Sequence, residues 1–277
     1  AMETIISELH DAKEYGSILT VTPQDWSALY DRFAEITEDI NMSRDTVLRE
    51  LLPLVQVAEA LVQNYDVVVT NPPYMGGSGM SAKLSNFVKK YYQDSKSDLF
   101  SCFMERADYF TRENGLTSLI TMESWMFLSS FEKLREKVNV GKTIINMVHM
   151  PYLGKGGTSL GINFGTAAVI MKKGHIRNYS AQYEYTVYYE CDENGVPFTF
   201  PTKNERWKTA KQDDFAKIPG SPVAYWLSDK VFELYADSET MEACAHPKVG
   251  MQTSNNEKYL RLWFEICLLY TSPSPRD

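Results

Sequence analysis

Cysteine is sparse in this chain of 277 residues. Cys102, Cys191, Cys244 and Cys267 are scattered, and none pairs with another as C-x-x-C. That spacing writes neither a zinc site nor a disulfide framework, and a reducing compartment is the simplest setting for it. Apolar runs long enough to span a bilayer are missing. The opening Ala1-Met2-Glu3-Thr4 is not a basic region leading into an apolar one, so no signal peptide is read. A soluble, cytoplasmic chain with no membrane partner is expected. Glycine is rare at the front, where Gly16 is the only one before Asp66. That stretch therefore has no glycine-rich nucleotide-binding turn. Acid is missing elsewhere: between Lys137 and Tyr183 there is no Asp or Glu, whereas Lys142, Lys155, Lys172, Lys173 and Arg177 all fall there. A surface that meets a polyanion would have this composition, and so would an ordinary solvated face.

A composition of 44% hydrophobic and 13% aromatic residues suits one large or two small globular domains. The net charge of -8 is concentrated at the front, since residues 1–66 carry 13 acidic and 4 basic side chains, or -9. That front cannot hold a polyanion. Trp26, Leu29, Tyr30, Phe33 and Ile36 recur at helical spacing, with Thr22 as the expected N-cap and Pro23 at the first helical position. Leu48 to Val62 reads as a second helix, interrupted at Pro53. Strands are expected at Asp66–Thr70, Leu116–Thr121, Thr143–His149 and Phe164–Met171, with helices at Leu99–Phe110 and Trp125–Val138 between them. Strands and helices alternating in this way predict an α/β fold with a parallel sheet. Tyr183, Tyr185, Val187 and Tyr189 alternate with mostly polar neighbours before a turn at Asp192–Gly195, as an appended β-hairpin would.

The first of those strands ends in Asn71-Pro72-Pro73-Tyr74. In open parallel sheets, ligands sit beyond the carboxyl ends of the strands. Each proline removes an N–H and holds the residue before it extended. The turn is therefore stiff and poor in donors. The Asn71 side-chain oxygen and the Pro72 carbonyl make two acceptors in a fixed frame, and Tyr74 adds a flat face for a ring. That set matches a planar –NH2 group, which has two hydrogens to give. Accepting both favours the pyramidal nitrogen that forms as the amine attacks an electrophile, with no strong base required.

Asp66 to Tyr74 resembles motif IV of the amino-group, S-adenosylmethionine-dependent DNA methyltransferases. The likeness continues through Met75-Gly76-Gly77, Ser95 to Phe100, Ser124 to Glu132, Val249 to Thr253 and Tyr259 to Trp263. These blocks are similar to the adenine methyltransferases of bacteriophage-exclusion (BREX) systems. The resemblance implies a partial Rossmann-like methyltransferase fold, transfer of a methyl group to adenine N6 in double-stranded DNA, S-adenosylmethionine as cofactor, and other phage-defence proteins as partners. It implies that Asn71, Pro72, Pro73 and Tyr74 are catalytic and that Tyr74 and Phe164 pack on a flipped base. Leu99 and Phe100 would border the cofactor adenine. The plain alternatives are a strand-opening core residue for Phe164 and helix core for Leu99 and Phe100. Gly77-Ser78-Gly79-Met80-Ser81-Ala82 fits G-x-G-x-x-A but follows the Pro-Pro turn, so it reads as a loop and not as a nucleotide cradle.

The family's glycine-rich cofactor turn would precede motif IV, so a chain truncated at the front is expected. The run Cys267–Asp277 resembles a translated sequencing adapter and is set aside from the fold. The expected organisation is a helical lead-in at 1–65, a partial catalytic domain at 66–180, an appended β/α insertion at 181–235 and the start of a recognition region at 236–266. Two other readings stand beside the DNA enzyme. One is a methyltransferase of RNA or of a protein glutamine, where the same tetrapeptide occurs. The other is a DNA-recognition or scaffold piece without catalysis.

Overall fold

The computed structural model describes residues 1–38, 44–150, 164–192, 196–239, 241–245 and 255–260. Lys155, the block from Val249 to Thr253 and residues 261–263 of the block from Tyr259 to Trp263 lie outside them. The chain divides into two compact units, Ala1–Ala236 and Asp237–Asp277. Within the second, Met241–Cys244 and Asn256–Tyr259 are short helices.

The first unit opens with helices α1 (Met2–Leu9), α2 (Trp26–Glu38), α3 (Arg44–Glu50) and α4 (Leu52–Val62). Ile5, Leu9, Phe33, Val55 and Ala58 bury their apolar sides in a core of their own. Helix α2 starts later than the Thr22-Pro23 pair suggests. Asp25 accepts the Ala28 N–H at 3.0 Å, while the Thr22 hydroxyl donates to Glu8 at 2.6 Å. An Asp at the cap satisfies an orphan donor as well as a Thr does. Pro53 sits in the first turn of α4, where its missing N–H costs nothing.

The sheet then runs β1 (Tyr65–Thr70), β2 (Thr111–Met122), β3 (Lys142–Met150), β4 (Thr166–Lys173), β5 (Ser180–Tyr185) and β6 (Lys208–Lys211), in spatial order β1-β2-β4-β3-β5-β6. Helix α5 (Ala82–Tyr91) and α6 (Leu99–Phe110) connect β1 to β2, and α7 (Glu132–Gly141) precedes β3. The pairs β1–β2 and β3–β5 are parallel. Strand β4 lies antiparallel between β2 and β3, and β6 is antiparallel to β5. The expected parallel sheet is therefore a mixed one. Its β1, β2, β3 and β5 all point the same way, so their carboxyl ends share one edge. Strand β1 is at the outside of the sheet, with Val67 and Val69 exposed.

Residues 181–235 are integrated into this unit. Strands β5 and β6 extend the main sheet, and Tyr183, Phe215, Val223, Tyr225 and Phe232 bury in the same core as Phe100, Met104, Leu119, Trp125, Met147 and Val169. The Tyr183 to Tyr189 alternation thus belongs to a sheet strand as far as Tyr185, after which Tyr188–Glu190 is a 3-10 turn. Strand β5's antiparallel partner is the distant β6, while past Tyr189 the chain pairs with itself through an antiparallel bridge from Cys191 to Pro197.

Between β2 and α7 the expected helix from Trp125 is two 3-10 turns, with α-helix beginning only at Glu132. The buried Arg135 guanidinium donates to the Trp125 carbonyl at 3.0 Å, to Leu128 at 2.6 Å and to Gly220 at 2.8 Å. Side-chain donors thereby satisfy carbonyls that a continuous helix would have bonded to its own N–H groups. At the other edge of the sheet, β2 bulges opposite Asp66. Asn114 takes φ 65° there. A Cβ on the next residue, Gly115, would meet the Asp66 carbonyl at 2.8 Å and the Arg112 carbonyl at 2.9 Å.

Candidate active site

Asn71 leaves β1 at the shared carboxyl edge, and it is exposed. The turn after it is held from two sides. The Tyr74 hydroxyl lies 3.0 Å from Asn71 Oδ1 and 3.1 Å from the Ile120 carbonyl of β2. It has one hydrogen to share between those acceptors. Burial pushes the Tyr74 hydroxyl pKa up, so it remains a neutral donor. Its ring meets Phe164 edge-to-face at 5.1 Å and tilts against Phe100 at 6.3 Å. Tyr74 therefore works first as a brace: it orients the Asn71 amide and packs beside Phe164. Among the described residues no N–H is bonded to the Pro72 carbonyl. Asn71 is thus exposed with its side-chain oxygen against Tyr74, while Pro72 is buried.

The second support is Asp98. Its carboxylate accepts the N–H of Met75 at 3.0 Å and of Phe100 at 3.2 Å, so it caps α6 and ties down the chain that follows Tyr74. The Leu99 N–H returns a bond to the Met75 carbonyl at 3.0 Å. Gly76 bridges to Asp98 as well. The resemblance block around Ser95 to Phe100 thus has a plain structural task. Burial raises the Asp98 pKa, and the backbone N–H groups of Met75, Phe100 and Leu99 oppose that shift. The folded state then holds the Asp98 proton more tightly than the unfolded state. This group's contribution weakens as pH rises from the ordinary Asp value through the raised one.

Asp98→Ala is expected to cost about 1–2 kcal/mol, because it strips a cap and orphans the Met75 N–H. Asp98→Asn keeps an acceptor oxygen and removes the buried charge. It should stay within about 0.5 kcal/mol of wild type and lose that pH dependence. Denaturant melts at several pH values check both. Equal losses for the two variants would reject the acceptor role.

Leu99 and Phe100 are both in the core, Phe100 fully so, packed on Phe131 at 5.6 Å. They brace the site from behind and do not line an open cofactor surface. The basic residues lie elsewhere. Lys142 begins β3, Lys172 and Lys173 end β4, and Arg177 follows before β5, so all four are at the amino edge of the sheet, opposite Asn71. At 3.3–3.4 Å per residue, the eight steps from Phe164 to Lys172 span about 26 Å. Three of them are also engaged. Lys142 is buried and pairs with Asp108 at 3.3 Å. Lys172 donates to Asn114 at 2.5 Å. Lys173 donates to the Asp108 and Thr111 carbonyls at 2.9 Å each. Their nearness to Phe164 in sequence does not carry into space.

A polar chain that the sequence did not reveal, buried at His149 and Tyr225 and partly exposed at Glu123, lies on the same carboxyl edge as Asn71. Glu123, just past β2, accepts from His149 Nε2 at 2.7 Å. His149 Nδ1 lies 2.8 Å from the Tyr225 hydroxyl. With Nε2–H given to the carboxylate, Nδ1 accepts a hydrogen bond from the Tyr225 hydroxyl, which burial keeps protonated. Gly165 follows Phe164, and a Cβ on it would overlap the Glu123 carboxylate. The Glu123 N–H donates to the Gly165 carbonyl at 2.9 Å. This chain therefore fixes the backbone that presents Phe164. Its members are 26 and 76 residues apart, so no local pattern could have joined them. Among the described residues no cluster of His, Cys, Asp and Glu could hold a metal, and no helix is long and apolar enough to cross a membrane.

Comparison with known families fits this arrangement. The Eco57I restriction-modification methylase profile matches residues 11–153, which is about half of the chain and includes β1, the tetrapeptide and Asp98. The chain belongs to the Eco57I restriction-modification methylase family. Two curated relatives are similar to this chain over longer stretches. Adenine-specific methyltransferase PglX of Lacticaseibacillus casei (strain Zhang) is 40% identical over 228 residues, 78% of this chain and 18% of the relative. Adenine-specific methyltransferase BrxX of Escherichia coli O9:H4 (strain HS) is 36% identical over 261 residues, 93% of this chain and 21% of the relative. The chain thus spans about a fifth of the length of these relatives. Among solved structures, the type I restriction-modification system methyltransferase subunit from Streptococcus thermophilus aligns at TM-score 0.41 and 14% identity, over 69% of this chain and 47% of that one.

Proposed function

We propose that this chain is part of an adenine-N6 DNA methyltransferase of a restriction-modification or phage-exclusion system, and that it supplies the pocket for the target amine. The Asn71-Pro72-Pro73-Tyr74 turn carries the reading. It ends β1 with two acceptors, and Tyr74 is locked between Ile120, Phe164 and Phe100. Adenine presents its amine only after leaving the duplex stack, at a cost of a few kcal/mol. The amine would then give one hydrogen to Asn71 Oδ1 and the other to the Pro72 carbonyl. Phe164 would bear on the ring. Double-stranded DNA is the proposed substrate, and the named activity of PglX and BrxX supports adenine as the base.

The methyl donor proposed for the whole protein is S-adenosylmethionine. The described residues do not make a cradle for it. Leu99 and Phe100 are buried, and no glycine-rich turn ends a strand ahead of Asn71. The chain alone is therefore proposed to be inactive. The full-length protein should be expressed in cells that lack adenine methylation, and their DNA digested to nucleosides for mass spectrometry. N6-methyladenine above the empty-vector level is expected. Methyl groups found only on RNA or on glutamine would overturn the reading.

A further inference from the structure

A concave site opens on the carboxyl edge, away from the Asn71 turn, with a volume of about 600 Å³. The buried ring of His149 lines it, locked by Glu123 and Tyr225. Its walls are aromatic. Tyr225 stacks on Tyr183 at 4.6 Å and meets Trp226 edge-to-face at 5.2 Å. Tyr185 stands edge-to-face on His149 at 5.3 Å. Trp226 nevertheless stays 46% exposed, with its neighbours already fixed. Arg206 and Lys208 also line the cleft, together with Glu205. Arg206 pairs with Glu190, and its buried Nε–H has no partner among the described residues. Lys208 is exposed and has no ion pair among them.

We propose that this cleft receives an unstacked nucleobase of the DNA strand, stacked on Trp226, with its phosphate on Lys208. The proposal rests on the DNA methyltransferase reading above. The volume falls in the range of small-molecule sites, roughly 300–1,000 Å³. A ready aromatic face suits any base, and base–aromatic stacking is worth about 1–3 kcal/mol. The carboxylates of Glu190 and Glu205 offset much of the local positive charge, so stacking outweighs phosphate attraction here. Position agrees as well. The cleft lies over β3 and β5, three and four strands from β1 in the sheet order. At 4.7–4.9 Å per strand it is about 14–20 Å from Asn71 along the edge. At 3.4 Å per base step, that is roughly four to six steps along DNA. One strand lying along the sheet edge could present the target adenine at Asn71 and a second base at Trp226.

The test uses the full-length protein and a duplex carrying its own site, read from N6-methyladenine mapping of the expressing cells. Trp226→Ala should weaken DNA binding by roughly tenfold with the salt slope unchanged. Trp226→Phe, which keeps a ring face, should restore most of it. Lys208→Ala should flatten the slope of log affinity against log salt by about one unit. Because Trp226 is half exposed, the alanine variant should keep its melting temperature, which is measured alongside. Wild-type affinity for Trp226→Ala, in a protein that still methylates, overturns the cleft proposal and leaves the methyltransferase reading standing. A wild-type protein that neither binds nor methylates DNA overturns both.

Discussion

Replacing Asn71 with alanine in the full-length protein is expected to lower adenine methylation by about a hundred- to a thousandfold and to leave the fold intact. Removal of one preorganised polar partner of a reacting group has an effect of that size. Asn71 is exposed, and its one described contact is the Tyr74 hydroxyl, so the loss should not spread into the core. Tyr74 keeps a second acceptor in the Ile120 carbonyl. The amine, by contrast, loses one of its two acceptors, and the pyramidal nitrogen is no longer favoured over the planar one. Tyr74→Phe is a useful companion. It keeps the ring against Phe164 but frees the Asn71 amide to rotate, and so should cost less than Asn71→Ala. Single-turnover methylation of a duplex separates the step at nitrogen from DNA binding. A near-normal single-turnover rate for Asn71→Ala would reject the two-acceptor account.

Gly115→Ala should have the largest effect on stability, a loss of about 3 kcal/mol, at the upper end of what overpacking costs. Its Cβ would sit 2.8 Å from the Asp66 carbonyl and 2.9 Å from that of Arg112. Two of the three obstacles are backbone, the third being the Thr111 methyl at 2.8 Å, so relief requires both β1 and the β2 bulge itself to shift. Gly165→Ala makes an informative contrast. There the obstacle is the end of the Glu123 side chain. Glu123 can swing away at the cost of its bond to His149, about 1–3 kcal/mol. Thermal melts of the 277-residue chain should show Gly115→Ala reduced by roughly 10 °C, at about 2–4 °C per kcal/mol for a domain of this size. An unchanged melting point would mean that the bulge has room that its geometry does not show.

The strand ending in the tetrapeptide was legible because its signals are local. A short β-branched run, a stop at two prolines and an acceptor side chain all fall within nine residues. Helices at Met2–Leu9 and Ala82–Tyr91 were not expected, whereas those at Trp26–Glu38, Leu52–Val62 and Leu99–Phe110 were legible for the same reason. Strand direction was not, because the pattern of β4 is identical whichever way it runs. Insertion of β4 between β2 and β3 is decided by pairings between residues distant in the chain, such as Thr117 with Met171. The basic residues follow Phe164 closely in sequence, and a related geometry parts them from it in space. Eight residues of loop can fold back on a site, whereas eight residues of strand carry the chain to the far side of the sheet. Glu123, His149 and Tyr225 were invisible because each alone reads as an ordinary polar residue. Only the sheet brings them together.

The exposed outer edge of β1 bears on how this chain behaves in the test tube. Val67 and Val69 face solvent on a strand whose outer side carries no ladder among the described residues. Open, β-branched edges pair with one another in concentrated solution, since a second copy can supply the missing hydrogen bonds. Preparations of this chain should therefore self-associate as concentration rises. A single lysine in place of Val69, which points away from the core and is 73% exposed, would give a better-behaved sample for crystallisation or NMR without touching Asn71.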